Sequence, residues 1–254
     1  MGQAKFYFEH LGADFSDYQQ EDDTYKHAIH QTEVYLRQLG RVHVLQRNFL
    51  PNFIFGKSDI VVVLGQDGLV ANTIKYLNDQ PVLAINPDPD RWDGILLPFE
   101  VDDIPNVMPE VFKNSRNFKE ITMAKAKLNN GQILCGVNDL FVGQKSHVSA
   151  RYLLAIGNKK EQQSSSGIIV STGLGSTGWL KSILTGAVSI ADYVNSNRLK
   201  MNPKVDLSWN SDFLYFTVRE PFPSVTSGTS LVFGKISNSN PMQITSQMPE
   251  NGVI

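Results

Sequence analysis

The sequence predicts an α/β N-terminal domain over residues 1–118, followed by a β-rich C-terminal domain over residues 119–254. Three observations carry this. Asp59-Ile-Val-Val-Val-Leu64 is β-branched and apolar on both faces, the pattern of a strand covered on both sides in a parallel sheet. A short turn, a helical stretch and a second apolar run, Pro81 to Asn86, follow it and make a right-handed βαβ unit. Near residue 118 the character changes to short strands parted by Gly, Pro, Ser and Asn.

Along the first half, Tyr25, Ala28, Ile29, Leu36 and Leu39 recur at helical spacing and stop at Gly40, a natural C-cap. Val42 to Leu45 reads as a short strand and Asp59 to Leu64 as a stronger one. Gly65-Gln-Asp-Gly68 is the turn, Leu69 to Leu77 the helix, and Ile104 to Phe112 a further helix. A domain boundary falls near 115–120. In the second half, Ile121 to Leu128 and Gln132 to Val142 flank Asn129-Asn130-Gly131, a hairpin signal. Arg151 to Ile156 and Gly167 to Ser171 are strands, and the Ser/Gln-rich stretch Glu161 to Ser166 is a loop. Ser176 to Tyr193 is helical, Asn195 to Asn202 is polar and no strand, and Phe213 to Val218 and Ser230 to Phe233 are strands.

Composition narrows the function classes. Lys plus Arg number 23 against 25 Asp plus Glu, so no polyanion such as a nucleic acid is implied as a partner. Cys135 is the only cysteine, which excludes an intrachain disulfide and suits a small buried residue in a strand. Met1-Gly-Gln-Ala-Lys-Phe6 has no apolar signal region, and Phe6 stands where a myristoylation site needs Ser or Thr. The longest apolar run, Ile60 to Leu64, is too short to span a bilayer. The expectation is a soluble cytoplasmic protein with no membrane partner. There is no GxxxxGK[ST] segment, no HExxH and no Ser-His-Asp set, so a P-loop enzyme and common hydrolases are out. His27 and His30 lie one helical turn apart with no third ligand in sequence and read as surface residues.

Three motifs point to chemistry. Gly65-Gln66-Asp67-Gly68 sits where a strand ends and a helix begins, the place where open α/β sheets bind ligands. Glycines let backbone approach phosphate oxygens, and a helix N-terminus favours their charge. Asp67 there holds Mg²⁺ or accepts a proton from an attacking hydroxyl, or it is the N-cap of the helix; both readings stand. Asp88-Pro-Asp-Arg91, after the strand ending at Asn86, is a turn by composition and a second candidate for the same crevice. Gly173-Leu-Gly175-Ser176-Thr177-Gly178 spells GxGxxG, with Asp192 about 20 residues on as a dinucleotide fingerprint requires. That acid falls in or just after a helix rather than at a strand end, so the fingerprint fails. What remains is a hydroxyl-rich turn that binds phosphate or ribose, or a tight strand-to-helix connection. Third, Val137-Asn138-Asp139 interrupts an apolar strand with poor strand formers, which signals a sugar-binding face or a β-bulge.

In order, these motifs resemble the NAD kinase family. That family has a strand followed by GGDG, a strand ending in Asn near a turn, an Asn-Glu pair and a TPTGST-like segment. Here they stand as Asp59 to Gly68, Pro81 to Asn86, Asn138-Asp139 and Ser171-Thr-Gly-Leu-Gly-Ser-Thr177, and the likeness covers residues 25 to 235. The Asp88-to-Arg91 turn, Ser165-Ser166-Gly167 and Trp179 look closer to the mitochondrial-type members. Lipid kinases of the diacylglycerol and sphingosine type share the GGDG tetrad.

The resemblance implies a two-domain NAD kinase-like architecture enclosing a cleft, a homodimer or larger homo-oligomer, and ATP, Mg²⁺ and NAD as ligands. It implies that Asp67 activates the 2′-hydroxyl of the adenosine ribose or organises Mg-ATP. It places Gly65, Gln66, Gly68 and Asn86 at the nucleotide. It also implies that Asn138, Asp139, Thr172, Gly175, Ser176 and Thr177 contact the dinucleotide. The sequence departs from the family at Gln66 for the second Gly, Leu69 for Thr, Asp139 for Glu, Ser166 for Asp and Gly173 for Pro. The family also leads one to expect a further strand and an Asp-Gly loop beyond Ile254. The implied activity is phosphoryl transfer from ATP to NAD or a related nucleotide. The alternatives are a nucleotide-binding protein on a kinase fold and a lipid or sugar kinase.

Overall fold

The computed structural model describes residues 15–113, 117–194 and 207–248. Met1 to Phe6, Asn195 to Asn202 and Ile254 lie outside them. The chain divides into two compact units, Met1–Asn117 and Phe118–Ile254.

In the first unit, α1 (Ser16–Leu39) ends as its C-cap Gly40 donates its N–H to the Leu36 carbonyl at 3.1 Å. β1 (Val61–Leu64), α2 (Asp67–Ile74), β2 (Val82–Asn86), β3 (Phe99–Glu100) and α3 (Ile104–Val111) follow. The three strands form a parallel sheet in the order β1-β2-β3, with Leu64 opposite Ile85 and Asn86 opposite Glu100. Successive strand residues point to opposite faces. Accordingly Val63 and Ala84 pack with Val70 and Leu97 on one side, while Leu83 and Ile85 pack with Ile104 and Met108 on the other. Both faces are covered, which is why the strands read as unbroken apolar runs. Val42 to Leu45 is not a strand. It lies outside every ladder, and Val44 is 59% exposed. β-branching favours a pleated conformation, but a strand needs a neighbour to pair with.

The second unit is antiparallel. β4 (Ala124–Lys127) and β5 (Ile133–Gly136) form the expected hairpin. β6 (Asp139–Val142), β9 (Gly167–Ser171), β10 (Phe213–Arg219) and β11 (Phe233–Ser237) form a sheet in the order β11-β10-β9-β6. β7 (Ala150–Ile156), β8 (Lys159–Ser165) and β12 (Met242–Ser246) form another, in the order β12-β7-β8. The core between them is built on Tyr152, Leu154, Ile168, Val170, Phe216 and Val218. α4 (Trp179–Val194) follows a short 3-10 turn, Gly175–Thr177.

Three strand expectations change here. The run Gln132 to Val142 splits at Val137-Asn138, because β5 pairs with β4 and β6 with β9. The stretch Glu161 to Ser166 is not a loop: β8 pairs with β7 along its whole length. Its alternate residues Gln163 and Ser165 are buried despite their polarity, and the Tyr152 and Ser165 hydroxyls share a 2.7 Å hydrogen bond. The strand expected over Ser230 to Phe233 is β11, which runs from Phe233 to Ser237, set by its pairing to β10. Cys135 lies in β5 and is half-buried. Among the described residues no helix is long and apolar enough to cross a membrane.

Candidate functional site

In the first unit the chemistry gathers at the carboxyl end of β1. Gly65 closes the strand, its N–H donating to the Ile85 carbonyl at 3.3 Å. A Cβ there would sit 2.8 Å from a Leu69 methyl, so the glycine is what lets Leu69 pack down on the turn. Gln66, in extended conformation, is the N-cap of α2, and its carbonyl accepts from Leu69 and Val70 at 2.8 and 3.3 Å. The amides of Asp67 and Gly68, ahead of these, have no intrahelical acceptor, as at any helix start. Nothing lies within 4 Å of a Cβ placed on Gly68. The start of α2 is therefore open, with the amide geometry that suits an anion.

Asp67 is not the N-cap of its own helix. Its carboxylate reaches across to the segment before β3, accepting the N–H of Ile95 at 3.2 Å and that of Leu96 at 2.9 Å. Each carboxylate oxygen has two acceptor positions, so both retain one for a ligand. Gln66, Asp67 and Gly68 line a cavity of about 280 Å³ together with Trp92, Asp93, Gly94, Ile95 and Leu97. Asn86 does not face that cavity. Only 5% exposed, it donates from Nδ2 to the Trp92 carbonyl at 2.8 Å and accepts the Asp88 N–H on Oδ1 at 3.1 Å. One N–H and the oxygen of its amide thus hold the loop it closes. The Asp88-to-Arg91 turn lines a separate cavity of about 330 Å³ with Gln20 and Thr24. There Arg91 pairs with Asp17 at 2.7 Å, Asp88 at 3.5 Å and Glu21 at 3.8 Å. The hydrogen bond to Asp17 holds the Arg91 guanidinium well above its ordinary pKa and lowers that of the Asp17 carboxyl. Asp17 is exposed and Arg91 partly so, and with solvent screening the pair stabilises little.

In the second unit, Asn138, Asp139 and Ser171 to Thr177 come together. Asp139 opens β6 opposite Ser171 of β9, and Tyr215 lies opposite Ser171 on the other side. Thr172 is fully buried. Its hydroxyl donates to the carbonyls of Val137 at 2.5 Å and Asn138 at 3.0 Å, and accepts the Gly175 N–H at 3.2 Å. The two glycines of the turn are packing requirements. A Cβ on Gly173 would lie 2.1 Å from the Ser208 carbonyl oxygen, and one on Gly175 would lie 2.1 Å from that of Asn138. The tight-connection reading of this motif therefore accounts for both glycines without a ligand. Ser176 is partly exposed and donates to the Gly173 carbonyl at 2.7 Å, while Thr177 and Asn138 are exposed. Asp139 keeps one buried oxygen, Oδ1, with no hydrogen-bond partner. Burial pushes its carboxyl pKa up, partly offset by the Ser171 hydroxyl. Beside this segment Trp179 stacks on Phe141 at 5.7 Å, with the Arg219 guanidinium 5.4 Å over the same indole.

Comparison with solved structures identifies the architecture. Yeast NADH kinase, solved with NADH, aligns with a TM-score of 0.50 and 18% identity over 75% of this chain and 49% of its own. An NAD kinase from Archaeoglobus fulgidus, solved with ATP, aligns with a TM-score of 0.53 and 14% identity over 89% of this chain and 78% of its own. The chain has the NAD kinase fold. It spans about half the length of the yeast enzyme's chain. No protein-family model and no curated protein matches the sequence.

Sequence reasoning did not single out Trp92 to Leu97 or Arg219. Asp93-Gly94 was the available signal, a turn dipeptide just ahead of a strand. Among the described residues no three His, Cys, Asp or Glu side chains group as a metal site.

Proposed function

We propose that the chain transfers a phosphoryl group from ATP to the 2′-hydroxyl of the adenosine ribose of NAD or a related nucleotide. The observation that supports this most is Asp67, held by two backbone amides at the edge of a cavity at the open start of α2, on an NAD kinase fold. In this reading the ribose hydroxyl gives its proton to Asp67 as its oxygen attacks the γ-phosphorus, and ADP leaves. The free amides at the start of α2 receive phosphate oxygens. Mg²⁺ takes oxygen ligands and is commonly held by one or two carboxylates plus phosphates, so Asp67 and Asp93 are the cavity residues that would face it. It would neutralise charge on the transferring group. Asn138, Asp139, Ser176 and Thr177 are assigned to the dinucleotide, with Thr172 and Gly175 holding that segment in shape. Asn86, Gly65 and Gln66 are assigned to the phosphate loop and its frame. The same reading makes the chain a cytoplasmic homo-oligomer.

The test is direct. With Mg-ATP and NAD, a glucose-6-phosphate dehydrogenase-coupled assay should register NADP, and mass spectrometry should place the phosphate on the adenosine ribose. No product across ATP, polyphosphate and a panel of nucleotide acceptors would remove the enzyme assignment.

A second reading, a nucleotide-binding protein without turnover, is favoured by one feature. Gln66 puts a side chain into the wall of the cavity where the family has glycine. It requires thermal stabilisation by ATP or NAD with no NADP formed.

A further inference from the structure

Asp67 is held by loop amides, and that loop is in turn held by a buried side chain. Ile95 and Leu96, whose N–H groups grip the carboxylate, follow Gly94. Gly94 adopts φ +59°, a left-handed conformation that glycine takes freely and residues with a Cβ do not. A Cβ there would also lie 2.8 Å from Asn86 Nδ2 and 3.1 Å from Leu97 Cβ. Asn86 in turn closes the loop from beneath, donating to the Trp92 carbonyl and accepting from the Asp88 amide. Asn86 ends β2, paired to β3 by its register with Glu100, and Ile85 before it is fully buried. The loop is thus pinned to a rigid strand at one point and to Asp67 at another.

We infer that Asn86 and Gly94 are positioning residues for Asp67: Asn86 sets the path of Trp92 to Gly94, which aims the Ile95 and Leu96 amides at the carboxylate and fixes its orientation. This rests on the assignment of Asp67 as the proton acceptor. In this reading Asn86 acts on the loop rather than on the nucleotide, since its amide donates to Trp92, accepts from Asp88 and is 5% exposed. A catalytic group displaced by about 1 Å can lose on the order of 10²-fold in rate, so a positioning device of this kind has a large lever.

Hydrogen exchange and kinetics on the full chain test it together. In the wild-type protein the Ile95 and Leu96 amides should be protected. Asn86→Ala should lower their protection at least about tenfold while the amides of β1 and β2 keep theirs, since the ladder is made elsewhere. It should lower kcat about 10- to 100-fold, with KM for ATP and NAD changed less than about threefold. Gly94→Ala, which keeps the Asn86 amide but crowds its Nδ2, should repeat both effects and guards against a folding defect specific to Asn86→Ala. Unchanged Ile95 and Leu96 protection in both variants overturns the inference, as does altered protection with kcat untouched. So does a rise in KM without a fall in kcat, which would return Asn86 to direct ligand contact. If the wild-type protein forms no NADP at all, the kinase assignment fails, and with it the catalytic half of the inference. The exchange data alone still decide whether Asn86 sets the Asp67 clamp.

Discussion

At the scale of single residues, the decisive feature is what each carboxylate touches. Asp67 is well suited by sequence either to cap α2 or to take a proton, yet its oxygens bind Ile95 and Leu96 amides far along the chain. Asp67→Asn retains the shape but only one acceptor oxygen, so one of the two amides loses its partner. Turnover should fall about 10²- to 10⁴-fold, and denaturation should show a loss of about 1 kcal/mol. Full NADP-forming activity in that variant would remove Asp67 from the mechanism. Asp139 behaves oppositely. Burial raises its pKa in the folded chain, so the folded state binds its proton more tightly than the unfolded state does. The stability this confers is present below the unfolded value and is lost as pH rises through the folded one. Urea titrations of wild type and Asp139→Asn from about pH 4 to 7 should therefore show the wild type losing stability relative to the variant as pH rises. A constant difference would contradict the burial of that carboxyl.

Among elements, the connection from β9 to α4 shows how a motif can be legible while its reason is not. The spacing Gly173-Leu-Gly175 spells a phosphate loop, but the glycines are explained by backbone passing close to backbone. Gly175→Ala forces a Cβ to 2.1 Å from the Asn138 carbonyl oxygen and should cost about 1–3 kcal/mol or more. Gly186→Ala, inside α4 with nothing within 4 Å of the added Cβ, should instead raise stability by up to about 1 kcal/mol. Equal thermal shifts for the two variants would refute this assignment. β8 carries a related lesson. Its polar residues look like loop until the Glu161 carboxylate is seen accepting the amides of Ser230 at 2.9 Å and Leu231 at 3.1 Å, with Gln163 donating to it at 2.6 Å.

Taken as a whole molecule, the chain carries two separately built cores, one parallel and covered by helices, the other antiparallel. The apolar runs of β1 and β2, the helix spacing in α1 and the Asn129-Asn130-Gly131 turn were readable from local pattern alone. They depend on periodicity and turn chemistry, which a sequence states directly. The identity and order of the Gly65–Gly68, Asn138-Asp139 and Ser171–Thr177 motifs were likewise legible, and with them the fold. Partners distant in sequence were not. That Val42 to Leu45 lacks a ladder, that Gln132 to Val142 serves two sheets, and that Glu161 to Ser165 is a strand follow from which backbone finds a neighbour. That Asp67 clamps residues 95 and 96, and that the Asn86 amide closes a loop, follows from side chains meeting backbone across the sheet's end. By itself the sequence determined which segments are apolar, where they turn and which chemical groups they carry. Only the tertiary structure decided which of those groups are left free, because hydrogen bonds between distant segments are settled by packing, to which local pattern is blind.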